Sequence, residues 1–262
     1  MEPFVQKNSI VRKIWGKSDT VLFIFAGAAA EFALNKAVDW LYYTGKLPAD
    51  PLGRLFSTVK YARMIIYSPE DSANQAIDFM HDIHAGVEQG RGKAIPDWAY
   101  RDVLFMLIHY SVASFELLER KLSNPEKEEI YNVFYRVGAR MGLKELPADF
   151  AAWLPERDRH LKENLQKSEF TIDLFRQYKK HLGRMRFNLL EGVQKLIVPE
   201  IAREMLFKNN FSLLKPIIGL YKISRFIKAD TAIKNLLLPP GYKKQVNELD
   251  MHPENNPKKK HN

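Results

Sequence analysis

Apolar residues recur along this chain with helical spacing almost from end to end, and no window sustains the alternation of a half-buried strand. Residues 5–15 predict a short amphipathic helix. Ser18-Asp19 opens a longer one over about 20–42, whose middle reads GAAAEFA, small residues that let another helix or a flat ligand approach closely. Pro48 and Pro51 interrupt the pattern before a helix over 52–67. Ser68-Pro69-Glu70-Asp71 then reads as a helix start, with a hydroxyl cap, proline at the first position and acids in the first turn. That helix is expected to reach about Val87, where the glycines at 86, 90 and 92 end it.

The next helix runs from Pro96-Asp97 to about Leu122, and its centre, VLFMLIHYSVASFELL, is apolar on almost every face, as for a helix buried in a large α protein. Asn124-Pro125-Glu126 starts another, closing at Gly142. Pro147, Pro155 and Thr171 each open a further segment, and Pro199 should kink or split the tract from 184 to 207. Short helices follow over 209–238, with Pro216 inside, before a polar tail, MHPENNPKKKHN, of disordered character. There is no internal repeat. The pattern predicts one all-α domain over 1–245, built of about nine to eleven helices, and a disordered basic tail over 246–262.

Composition narrows the chemistry. With 262 residues, 46% hydrophobic and 27% charged, the chain can bury a substantial core. The absence of cysteine removes disulfides, zinc–thiolate sites, iron–sulfur clusters and thiol nucleophiles together. A net charge of +9 suits an anionic surface, but no helix-turn-helix, zinc finger or aromatic RNA-binding signature accompanies it, so nucleic acid is not expected as a partner. MEPFVQKNSIVRKIW lacks the apolar core of a signal peptide, and the apolar run 21–34 is short and contains Glu31. The expectation is a cytoplasmic protein that can touch a membrane surface without crossing it. Oligomeric state is not legible.

Seven histidines are present. His160, His181, His252 and His261 lie in polar contexts that predict exposure, whereas His81 and His84 share a helix face and His109 sits in the most apolar helix. Three readings remain open on spacing alone. His109 is a core histidine bonded to backbone, with His81 and His84 on the surface; or Asp78, His81, Asp82 and His84 hold a non-haem metal with Glu31, Asp39, Glu116 or Glu119; or His84 is an axial haem ligand. The second reading lacks the Glu-x-x-His pairs of a di-metal bundle. The third needs a neutral imidazole, apolar walls and cations for the propionates, and the small Ala85 and Gly86 after His84 allow close approach. Arg54 and Thr58, one turn apart, can bind a propionate and donate to an oxygen ligand, or equally pair with a local acid and the helix backbone. No phosphate loop and no Gly-x-Ser-x-Gly elbow is present, and Ser111 and Ser114 near His109 read as packing residues.

Several segments together resemble the latex-clearing proteins (rubber oxygenases) and MpaB-type oxygenases. They are LFIFAGAAAEFAL, DPLGRLFSTVKYARMIIYSPEDSANQAI with its Asp-Pro-x-x-Arg-Leu-x-x-Thr pattern, FMHDIHAGV, VLFMLIHYSVASFELLER, YNVFYRVGARMGL and LLLPPGYKKQV. The resemblance covers roughly residues 15–155 and 236–246. It implies an all-α oxygenase binding haem b in a buried cofactor pocket, with His84 as proximal iron ligand, dioxygen bound opposite it, Arg54 and Thr58 supporting the pocket as catalytic and cofactor-binding residues, and His109 in its outer shell. The substrate it implies is an unsaturated hydrophobic small molecule, isoprenoid- or lipid-like. Two departures stand out: Ser57 occupies the place of a lysine in rubber oxygenases, and Leu34-Asn35 that of a His-Pro. Glu31 and Asp39 are candidate bases by location only. The rivals from other classes are a non-catalytic haem- or lipid-binding helical protein and a non-haem metalloenzyme built on the His81/His84 helix.

Overall fold

The computed structural model describes residues 2–45 and 49–209 and isolated positions between 212 and 219, apart from the side chains of 51, 52 and 54–56. The expected short helices after 209, the LLLPPGYKKQV segment and the basic tail lie outside the described residues. Within them the chain is all-helical, in ten helices: α1 Ile10–Trp15, α2 Ser18–Leu34, α3 Val38–Tyr43, α4 Pro51–Tyr67, α5 Glu70–Arg91, α6 Asp97–Leu118, α7 Asn124–Arg140, α8 Phe150–Asn164, α9 Glu169–Ile197 and α10 Glu200–Leu206.

The alanine-rich helix is the axis of the fold. Ile24, Ala30, Ala33 and Leu34 of α2 are fully withdrawn from solvent, and α6 and α9 pack along it. Gly27 shows how closely: a Cβ there would lie 2.3 Å from the Tyr110 ring, so only a glycine lets α6 approach at this level. Tight helix packing is therefore the use of these small residues. Trp15 closes one end, edge-on to Phe25 with ring centroids 6.0 Å apart, and its indole N–H donates to Ser111 Oγ at 3.2 Å. Ser111 is a packing residue, as the sequence suggests.

Several boundaries differ from expectation, each for a physical reason. The helix predicted over 20–42 breaks at Asn35, whose backbone is extended. Asn35 Oδ1 accepts from the Ala37 N–H at 2.8 Å and its Nδ2 donates to Asp102 at 2.7 Å, so the side chain outcompetes the helix for local backbone. The break is pinned to the end of α8, where Lys36 N donates to Asn164 O and Gln166 N to Leu34 O. At Ser68 the hydroxyl does not cap α5; Pro69 takes the cap position, and the N-terminal segment satisfies the local backbone through Phe4 N to Ser68 O and Glu70 N to Glu2 O. α5 continues through Gly86 and Gly90 to end at Gly92, which is left-handed. Pro155 does not open a segment but lies inside α8, which Asp149 caps. Pro199 does split its tract, separating α9 from α10.

Candidate active site

The helix hairpin α4–α5 carries three of the four residues predicted for the site. Tyr61 and Phe79 face each other across it, ring centroids 6.2 Å apart. Five residues on from Phe79 along α5 is His84, and Thr58 lies three residues before Tyr61 on α4. Thr58 and Ser57 are half-buried. Arg54 lies in the first helical turn of α4, and its side chain is outside the described residues.

His84 is half-buried and oriented from two sides. Its Nδ1 lies 2.8 Å from the Met80 carbonyl one turn back, and its ring stands edge-on to Tyr100 with centroids 5.3 Å apart. A carbonyl can only accept, so Nδ1 is the donor in this contact, and Nε2 is the ring nitrogen left for a metal when the imidazole is neutral. Tyr100 is itself held, donating to Glu88 Oε1 at 3.0 Å; burial and then Glu88 push its phenol pKa up. Elsewhere on α5, Phe79 and Ile83 are exposed apolar side chains, at 53% and 38%. This hydrogen-bonded orientation fits an axial haem ligand.

α3 is strapped to the end of this helix. Arg91 donates to Asp39 at 2.7 Å while lying over the Trp40 ring at 4.1 Å, and the Tyr43 hydroxyl donates to the Gly90 carbonyl at 2.6 Å. Asp39, a candidate base by location, thus forms the ion pair that ties α3 to α5.

The non-haem alternative on α5 does not assemble. Asp78 is gripped by Arg140 through two bonds of 2.7 and 2.6 Å, which holds its carboxyl below the usual range, and His81 projects into solvent. Among the described residues no group of three or more His, Asp or Glu side chains is placed to hold a metal ion.

His109 lies elsewhere. It is nine residues beyond Tyr100 on α6, which is about 13 Å along the axis and half a turn around it. Its surroundings are buried charges. Glu31 of α2 and Arg157 of α8 form a two-pronged ion pair at 2.6 and 2.5 Å, and Tyr110 donates to Glu31 at 2.8 Å. Burial opposes the Arg157 charge, but Glu31 outweighs it and the arginine pKa rises; burial and Glu31 push the Tyr110 phenol far up. Burial, followed by the Arg157 charge, lowers His109 to about 4, so this imidazole is neutral at ordinary pH.

A second buried polar centre went unseen in the sequence. Asp102 of α6 receives Asn35 at 2.7 Å and Asn164 at 3.0 Å and lies 2.5 Å from His160 Nδ1. His160, expected at the surface, is only 2% exposed, because the one buried stripe of the otherwise polar α8 carries it and Arg157 inward.

The described residues thus form an all-α domain with His84 on the α4–α5 hairpin and a charged α2–α6–α8 core. The family described as ER-bound oxygenase mpaB/B'/Rubber oxygenase, catalytic domain, matches residues 13–210, and the chain belongs to this family. It is accordingly an oxygenase, an oxidoreductase using dioxygen and an organic substrate. Comparisons with curated proteins and with solved structures gave no match. Among the described residues, no helix is long and apolar enough to cross a membrane.

Proposed function

We propose that the protein is a haem b-dependent oxygenase of an unsaturated, hydrophobic small molecule, with His84 as the iron ligand. The observation that carries this reading is the bond from His84 Nδ1 to the Met80 carbonyl, within a chain of the oxygenase family. That bond engages Nδ1 and leaves Nε2 as the nitrogen that would meet the iron, and Tyr100 stands edge-on to the ring. Haem, when bound, supplies a redox-active iron that activates dioxygen.

The protein's own residues bind and orient. Arg54 and Thr58 on α4 would supply a cation suited to a propionate and a hydroxyl suited to a polar oxygen atom. The exposed apolar side chains of Phe79 and Ile83 on the same helix suit contact with an isoprenoid- or lipid-like substrate. The α3 strap at Asp39–Arg91 fixes the end of the helix that carries the ligand.

The test is an absorption spectrum of the protein produced with haem precursor. A Soret band that is lost in His84→Ala and kept in His81→Ala is the expected result. A chain that stays colourless after reconstitution with haemin defeats the proposal. Oxygen uptake with a panel of unsaturated isoprenoids and lipids then reports the substrate class.

A further inference from the structure

The long helix α9 bends at a cationic elbow. Up to Tyr178 it is an ordinary amphipathic element: Thr171, Leu174 and Tyr178 are buried, while Ile172, Arg176, Lys179 and Lys180 face solvent. At Gly183 the backbone leaves the helical region (φ 74°, ψ 165°), a conformation open to glycine at little steric cost, and resumes helix afterwards. Leu174, Tyr178 and Phe187 hold both arms against Ala33 and Val38 of the α2–α3 corner, so the bend is supported from beneath. Its outer surface carries Lys179, Lys180, His181 and Arg184, all exposed, around Met185, which at 62% is the most exposed large apolar side chain among the described residues.

The charge around it is one-sided. From 174 to 190 the sequence has five lysines and arginines and no acid. The flanking acids are engaged: Asp173 accepts from Arg176 at 3.0 Å and from the Tyr42 hydroxyl at 3.0 Å, and Glu191 is half-buried, with burial raising its pKa against the pull of Lys195 and Lys179. A field of cations around a protruding, flexible apolar tip is the chemistry of a lipid–water interface, where lysine and arginine meet headgroups and the thioether enters the acyl boundary. Nucleic acid fits less well, because no aromatic ring is exposed among these cations to stack on a base.

We infer that the α9 elbow docks the protein on an anionic phospholipid surface, with Met185 inserted and Lys179, Lys180 and Arg184 on the headgroups. The inference stands apart from the haem reading, since it uses none of the residues around His84.

The experiment is co-sedimentation of the full chain with vesicles of phosphatidylcholine, or of phosphatidylcholine with phosphatidylserine. Binding is expected only to the anionic vesicles and should weaken with salt. Each cation near such a surface contributes roughly five-fold to partitioning, so Lys179→Glu/Arg184→Glu is expected to weaken it on the order of 25-fold or more. Lys13→Glu/Lys144→Glu, exposed sites of equal charge change, retains most of the binding. Equal losses in the two double variants, or none in the first, overturn the proposal. Because the chain has no cysteine, Met185→Cys can carry a single environment-sensitive fluorophore, which tests docking in a protein with its cations intact. Its emission is expected to shift to the blue on anionic vesicles. A probe that stays unmoved while the chain sediments places the contact elsewhere, for instance on the Lys258-Lys259-Lys260 run, and a probe that responds to heparin but not to vesicles rejects a membrane.

Discussion

Glu31 and Arg157, 126 residues apart in sequence, meet in a bidentate ion pair with side chains 1% and 5% exposed. Removing one member leaves a buried charge without its counter-ion. Arg157→Met is therefore expected to destabilise the fold by about 3–5 kcal/mol. Glu31→Gln/Arg157→Met, which removes both charges, should recover part of that loss. Denaturant titration of the four-protein cycle measures the coupling.

The approach of α6 to α2 at Gly27 leaves no room for a methyl group. Gly27→Ala should force the Tyr110 ring and its bond to Glu31 aside, lowering stability by about 1–3 kcal/mol despite the better helix propensity of alanine. Thermal melting checks the sign. An unchanged or higher midpoint would mean that the two helices can part without penalty.

His109 makes stability depend on pH. Its folded pKa of about 4 lies below the unfolded value near 6.5, so between those values the unfolded chain binds more protons. The contribution is fully present above about pH 6.5 and is lost as pH falls towards 4, by up to about 3 kcal/mol. His109→Gln should flatten the stability profile across that window, read as the difference from the unaltered chain in urea titrations at pH 7.5 and 4.5.

Asn35 holds the α2–α3 break with one side chain used in both directions. Asn35→Ala removes the partner of the Ala37 N–H and one donor to Asp102, at a cost of about 1–3 kcal/mol. Hydrogen exchange should report faster opening at Ala37 and at Lys36, while α7 keeps its protection.

The fold class and most helices were legible in the sequence because apolar spacing and breakers act locally. Ser123-Asn124-Pro125-Glu126 is an example: it forms the capping box that opens α7, close to where the pattern places that helix. The family itself was legible in a different way, through short motifs such as FMHDIHAGV and their order along the chain. What escaped was set by partners distant in the chain. His160 and Arg157 sit in a helix of polar composition, and only Asp102 and Glu31, 58 and 126 residues away, explain their burial. Asn35 reads as an ordinary helix residue until Asp102 is placed beside it. Pro155 was read as a boundary because a proline can begin a helix, but Asp149 had already capped α8 one and a half turns earlier.

The corner at Asn35 also has a mechanical meaning. Asp102 orients Asn35, Asn35 sets the direction of α3, and α3 grips the far end of α5 through Asp39 on Arg91 and Tyr43 on the Gly90 carbonyl. Seen this way α3 is a strut, six residues long, whose foot rests in the buried polar core and whose head braces the helix of His84. A lesion at Asp102 therefore reaches the histidine's helix through rigid contacts, without touching the histidine itself.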